Sequence, residues 1–185
     1  YPVSQTGSTG MAFEAGASGK NLTEWQFGMA SLNPRWNVSG TYMQVLPSFI
    51  STDQDGNDEK EFLLDYFNEL PDLLSMVFLK GYQWPFDVNK IFGGSSVIDL
   101  LVYQETVLKK RRVFLDYRVN PGNLEKDRDL PYASMIPEAK EYLSQAGACF
   151  GTPIERLKHM NEPAILFYQD HHVDLFKERL EIAVC

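Results

Sequence analysis

An acidic stretch at residues 53–64, DQDGNDEKEFLL, has the composition of a loop that binds calcium through carboxylate oxygens. A calcium-binding EF-hand loop needs glycine at its sixth position and glutamate at its twelfth. Those two positions hold Asp58 and Leu64 here. The stretch therefore predicts a solvated turn that leads into a helix beginning near residue 58, and it predicts no calcium site.

The residues that most often serve metal binding and nucleophilic catalysis are poorly placed as well. His171 and His172 are adjacent, so their side chains cannot easily converge on one metal, and His159 falls on a different predicted helix. The basic run at 109–112 lies on an acidic chain and marks a helix end. The sequence has no P-loop, no G-x-G-x-x-G after a strand, no G-x-S-x-G elbow and no Cys–His signature. Residue types alone predict no catalytic constellation.

The composition excludes several classes of partner. The 185 residues are 44% hydrophobic and carry a formal net charge of −8, so the chain can bury a core but repels phosphate backbones and anionic membranes. No apolar run approaches the ~20 residues of a membrane span. Two cysteines, Cys149 and Cys185, make no disulfide framework. We therefore expect a cytoplasmic protein that binds no nucleic acid and holds no metal.

The elements that must position any site are mainly helical. Patterns typical of helices, several with proline in the first turn, occur at residues 58–70, 71–81, 95–110, 136–148, 152–160 and 162–171. Strand-like patterns occur at 22–30, 40–50 and 111–119. Ser95 or Ser96 is predicted to cap the helix at 95–110, in which Ile98, Leu101 and Leu108 share a face. The pattern predicts one α+β domain, residues 1–185, in which helices predominate.

The first 28 residues carry a more specific signal. They contain Tyr1 and Pro2, a glycine-rich turn TGSTG at 6–10, an Ala-rich helix pattern MAFEAGA at 11–17 and a strand-like EWQFG at 24–28. In order and approximate spacing, these pieces resemble a segment of the flavoprotein subunits of succinate dehydrogenase and fumarate reductase and of the related L-aspartate oxidase. That segment reads Tyr-Pro, Thr-Gly-Asp-Gly, a helix ending Arg-Ala-Gly, and Met-Glu-Phe-x-Gln-Phe-His-Pro-Thr.

Later pieces of the chain resemble the same family more weakly. GNDEKEFLLDYF at 56–67 is similar to its Gly-Glu-Arg-Phe stretch, PFDVNK at 85–90 to its Pro-Arg-Asp-Val segment, and RRVFLDY at 111–117 to its Val-Tyr-Leu-Asp strand. LEIAVC at 180–185 resembles the approach to the segment that returns to the flavin. The resemblance implies a helix-rich capping domain inserted into an FAD-binding domain of the same polypeptide. The FAD would belong to the full-length protein, and this chain alone would hold none.

The resemblance also implies which residues would face the cofactor and the substrate. Thr6, Gly7 and Ser8, at the start of the first helix, would approach FAD with backbone N–H groups. The positions that would face a small-molecule substrate are Gln26, Arg35, Gln44 and Asp87. Two of these have a purely structural alternative: Gln26 would satisfy buried backbone groups, and Asp87 would cap a helix.

Three departures from the family's pattern bear on the reaction. The family's turn aspartate is matched by Ser8 or Gly7, its strand histidine falls at Gly28, and its catalytic arginine falls at Phe86. Phenylalanine can neither donate a proton nor clamp a carboxylate. The resemblance therefore implies a FAD-dependent oxidoreductase with an altered substrate. The alternative is a non-catalytic α+β module that binds another protein through its aromatic and acidic surface.

Overall fold

The computed structural model of the protein describes residues 8–19, 28–123 and 131–184. Its helices α1 to α6 are, in chain order, Ser8–Glu14, Thr41–Gln44, Leu70–Lys80, Ser96–Tyr103, Pro137–Gln145 and Pro153–Asp170. Its strands β1 to β5 are Met29–Leu32, Arg35–Asn37, Ser48–Thr52, Arg112–Asp116 and Leu180–Val184. Helices combined with one antiparallel sheet confirm the predicted α+β class.

The five strands form an antiparallel sheet in the order β2-β1-β5-β4-β3. Strand β5 lies between β1 and β4, and its Ile182 is opposite both Ser31 and Val113. Helix α4 packs against β5, and α2 lies against both α3 and α6. Ile182 and Val113 join the helices in one hydrophobic core. The pairing of β5 with β1 brings the late part of the chain beside Met29.

Helix α4 shows why one sequence prediction was wrong. Ile98 and Leu101 are both buried, but Leu108, which was predicted to share their face, is 67% exposed. The helix continues into a π-helical turn, Gln104–Leu108, which holds more residues per turn than an α-helix and rotates the following side chains away from the buried face. Glu105 becomes buried instead, with its carboxylate 2.6 Å from Lys109 Nζ and 3.3 Å from Arg111 Nε.

Two other local predictions were overridden by tertiary contacts. The strand-like residues 40–50 are α2 followed by β3, because Gly40 and Leu46 both take positive φ and break the extended chain. The helix predicted at 58–70 is reduced to a 3₁₀ turn, Phe62–Asp65. Lys60 forms a β-bridge with Ser51, and the Glu61 carboxylate accepts a hydrogen bond from the N–H of Gly122 at 3.0 Å. These contacts hold residues 60–61 out of the helical conformation.

The helices predicted at 152–160 and 162–171 are the two halves of α6. Asn161 departs from helical geometry with φ −158° and ψ 67°, two residues before Pro163, which cannot donate to the helix ladder. Just beyond the break, the Ala164 carbonyl accepts a hydrogen bond from Tyr42 Oη at 3.2 Å. Tyr168 Oη lies 2.9 Å from Ser31 Oγ. The kinked helix is thereby tied to both α2 and β1.

A fully buried guanidinium connects α6 to the loops around it. All of the N–H groups of Arg156 have neutral oxygen acceptors, at 2.8–3.1 Å: the carbonyls of Val45, Phe150 and Gly151 and the side-chain oxygen of Asn120. Burial lowers the pKa of Arg156 to about 10, so the group stays charged at neutral pH. Since the acceptors lie on three segments of the chain, one side chain fixes the end of α2 relative to the start of α6.

Candidate functional site

Residues 81–95 connect α3 to α4 and are called the 81–95 loop here. The loop contains Phe86 and Asp87, two positions that the family resemblance places at the substrate. It begins after Lys80, in the last turn of α3, and ends before Ser96, the first residue of α4. Helix α3 agrees with the helix pattern at residues 71–81: Pro71 lies in its first turn, and Gly81 follows its last residue.

Polar side chains close the base of the 81–95 loop. Lys80 Nζ lies 2.5 Å from Asp99 Oδ2 and also donates to the Gln83 carbonyl at 3.3 Å. Gln83 Oε1 accepts from both the N–H and the hydroxyl of Ser95, each at 3.0 Å. Ser96 Oγ accepts from the N–H of Asp87, also at 3.0 Å. Ser95 is the N-cap residue of α4, as predicted, but neither serine caps the helix with its side chain, because both side chains bind residues of the loop.

The ion pair of Lys80 and Asp99 is buried, with side-chain exposures of 1% and 0%. Burial lowers the pKa of Lys80, and burial raises the pKa of Asp99 to about 6 even though the ammonium partly offsets it. Asp99 Oδ1 has no hydrogen-bond partner among the described residues. Each charge also lies at the favourable end of its helix, the cation in the last turn of α3 and the anion in the first turn of α4.

Trp84 brings the 81–95 loop against the start of β1. A Cβ atom placed on Gly28 would lie 2.1 Å from Trp84 Nε1 and 2.7 Å from Cε2, closer than any side chain can approach. Trp84 Nε1 is buried and has no hydrogen-bond partner among the described residues. Position 28, where the family has histidine, therefore has no room for any side chain while Trp84 keeps this position.

We expect Gly28→Ala to lower the free energy of unfolding by about 2 kcal/mol, because the indole ring must shift to admit the methyl group. Urea denaturation of the purified chain measures the change. Gly10→Ala is the matched control, since nothing lies within 4 Å of a Cβ at that helical position and alanine favours helix. Equal stability of the two variants would contradict the close packing at Gly28.

Asp87 caps a helical turn, which was the structural alternative to a substrate contact at this position. Its Oδ1 accepts from the N–H of Asn89 at 2.9 Å at the start of the 3₁₀ turn Val88–Lys90. This backbone hydrogen bond lowers the pKa of Asp87, and Lys90 Nζ lies 3.6 Å away. The carboxylate is thus ionised and already engaged by its own turn.

The other predicted site residues are dispersed. Gln44 is buried in α2, and its Cγ would lie 2.7 Å from a Cβ on Gly81, so it contacts the first residue of the 81–95 loop. Arg35 is exposed on β2 at the edge of the sheet. Ser8 is the first residue of α1. Thr6, Gly7 and Gln26 lie outside the described residues. The structure therefore brings Gln44 and Asp87 to the same loop and leaves Arg35 on the sheet edge.

The second half of the loop exposes two large apolar side chains. Val88 is 65% exposed and Phe92 is 95% exposed. Gly93, with φ 73°, follows Phe92 and turns the chain back towards α4. The loop is thus held by buried polar contacts and also presents apolar surface to solvent.

Comparison with known proteins identifies no family for this chain. No protein-family model, no curated protein and no solved structure matches it. Within residues 8–19, 28–123 and 131–184, no cluster of histidine, cysteine, aspartate and glutamate could hold a metal ion. No helix of the same residues is long and apolar enough to cross a membrane.

The residues that build the loop were missed by sequence reasoning. The sequence signal at Lys80 and Asp99 is ambiguous. A cation lies near the end of one predicted helix and an anion near the start of the next, but this pattern is usual for exposed helix ends. Gln83 and Trp84 have no signal of their own. Their roles depend on the packing of α3 beside α4, which no local pattern specifies.

Proposed function

We propose that this chain is the capping domain of a FAD-dependent oxidoreductase similar to the flavoprotein subunits of succinate dehydrogenase and fumarate reductase. The observation that carries the proposal is the contact between Trp84 and Gly28. The resemblance assigns Gly28 and the Phe86–Asp87 pair to one substrate site from sequence order alone. Such positions must be neighbours in space, and the 81–95 loop does lie against the start of β1.

The path of the chain through the sheet supports the same reading. β1 follows the segment that resembles the family most closely, and β5 carries the residues similar to the approach back to the flavin. These two strands are hydrogen-bonded neighbours, with Met29 opposite Val184. The two segments that resemble the family's exit from and return to the FAD-binding domain therefore adjoin neighbouring strands, which suits a domain inserted into a single host domain.

The exposure of helix α1 supports the proposal that a second domain packs against this chain. Residues 9–19 are all exposed, and they include Met11 and Phe13. A helix of seven residues is not stable in water by itself and needs packing against other structure. The FAD-binding domain of the same polypeptide would supply that packing. The family resemblance assigns the FAD itself to that domain, so this chain would contact the flavin without holding it.

The chemistry that FAD supplies is hydride transfer between its N5 atom and a substrate carbon. This chain would act as a lid that excludes water and orients the substrate. Phe86 offers the substrate an apolar surface in place of a carboxylate clamp, and Asp87 is engaged by Asn89. The substrate is therefore expected to differ from fumarate and succinate. We also propose that the enzyme is cytoplasmic.

The test uses the full-length gene product that contains this chain. Its visible absorption spectrum should show flavin, and the dithionite-reduced flavin should stay reduced when fumarate is added. Reoxidation by fumarate would retain the oxidoreductase but overturn the altered substrate. Absence of flavin in folded protein that has been offered free FAD would overturn the whole proposal.

One observation favours the second candidate, a non-catalytic module that binds another protein. Val88 and Phe92 are highly exposed on a loop whose base is held by buried contacts, and pre-ordered apolar side chains are common at protein interfaces. The net charge of −8 favours a basic partner. This candidate requires no flavin, so the absorption spectrum separates the two.

A further inference from the structure

The buried ion pair of Lys80 and Asp99 is not explained by stability. Moving two charges out of water costs several kcal/mol per ion, and an apolar pair of similar volume is often equally stable or more stable. Here the pair also leaves Asp99 Oδ1 without a hydrogen bond among the described residues, which adds to the cost of burial. Because burial of the pair is unfavourable, we looked for a role of the ion pair other than stabilisation of the fold.

The geometry of Lys80 indicates that role. Its ammonium contacts Asp99 in α4 and the carbonyl of Gln83 in the 81–95 loop at the same time. An apolar side chain could pack between α3 and α4 but could not bind a loop carbonyl. The side chain of Gln83 then binds Ser95 at the other end of the loop. The ion pair is therefore the first link in a chain of contacts that runs from α4 through Lys80 to both ends of the loop.

We propose that Lys80 and Asp99 are positioning residues that hold the 81–95 loop against α4, so that residues 84–87 are presented to the ligand in one conformation. The proposal rests on the proposed function for the identity of that ligand. Trp84 would lose its fixed position beside Gly28 if the base of the loop opened. Holding the loop before the ligand arrives removes part of the entropy cost of binding.

Amide hydrogen exchange and indole NMR of the whole chain test the proposal. The key variant is Lys80→Met with Asp99→Leu, which removes both charges with similar volume. We expect the urea midpoint of its unfolding to stay close to that of wild type. The amides of Asp87 and Ser95 should exchange about tenfold faster or more, because the donor Asp87 and the acceptor Gln83 both belong to the released loop. The indole N–H resonance of Trp84 should also shift, and that of Trp36 should not.

A matched control removes an ion pair elsewhere. Arg112 and Glu181 pair between β4 and β5 at 2.7 Å, so Arg112→Met with Glu181→Leu should leave the Asp87 and Ser95 amides unchanged. Unchanged protection in a folded Lys80/Asp99 double variant would overturn the proposal. If that variant does not fold, Asp99→Asn is used instead. It keeps the volume of the side chain but removes its charge, and its effect is measured at the same two amides. A few-fold faster exchange is then expected, and no change overturns the proposal.

The failure of this inference can be told apart from the failure of the proposed function. Flavin content of the full-length protein reports on the function and does not depend on how the 81–95 loop is held. Amide exchange and the Trp84 resonance report on the loop and need no flavin. A protein with flavin whose loop is insensitive to the double variant would refute the positioning role alone. A protein without flavin whose loop is released would refute the oxidoreductase alone.

Discussion

Replacing Arg156 with methionine is expected to lower the free energy of unfolding by about 4 kcal/mol. The methionine fills much of the space of the arginine stem but donates no hydrogen bond. The carbonyls of Val45, Phe150 and Gly151 and the side-chain oxygen of Asn120 would all lose a charged donor. Because Arg156 has no exposed surface, water cannot easily replace it at these acceptors.

Urea denaturation of the chain measures this loss of stability, and two further variants serve as comparisons. Arg156→Lys keeps the positive charge but cannot reach acceptors on three segments at once, so it should recover only part of the loss. Arg112→Met removes a partly exposed arginine on β4 and should cost about 0.5 kcal/mol. A loss below about 1 kcal/mol for Arg156→Met would mean that the four acceptors are satisfied in another way.

The second large effect is expected at the ion pair of Lys80 and Asp99. Lys80→Met alone should lower the free energy of unfolding by about 4 kcal/mol, because it leaves the Asp99 carboxylate buried without its cation. Adding Asp99→Leu should restore most of that loss, since the remaining charge is removed as well. A double-mutant cycle in urea therefore gives a strong coupling between two residues that lie at the ends of different helices.

The pH dependence of the single variant provides an independent check. Burial already raises the pKa of Asp99 while Lys80 is present. Loss of the cation should raise that pKa further, so folded Lys80→Met binds a proton that the unfolded chain releases. Its deficit relative to wild type should therefore shrink as the pH falls from 7 towards 5. Purely additive effects in the cycle, or a deficit that does not depend on pH, would show that Asp99 is solvated when Lys80 is absent.

Local patterns predicted several elements well. Proline in the first turn and glycine after the last turn delimited α3, and proline marked the start of α5 and α6. These signals are reliable because they act through the φ angle and N–H group of single residues. In the NPG sequence at 120–122, Gly122 has φ 70°, a conformation that glycine adopts without strain. The sequence also supplied Asp87 as a cap, since an aspartate before a turn binds the N–H groups that follow it.

Long-range packing decided what local patterns could not. Leu108 faces solvent and Glu105 is buried because a π turn interrupts α4, and residues 60–61 are extended because Ser51 and Gly122 bind them. The sequence by itself determined the α+β class, the ends of several helices and a family resemblance concentrated in the first 28 residues. Only the tertiary structure decided that Lys80, Gln83, Ser95 and Asp99 close one loop and that Trp84 lies on Gly28. Such contacts join residues far apart in the chain, and the free energy that selects them comes from desolvation and packing, which depend on the whole fold.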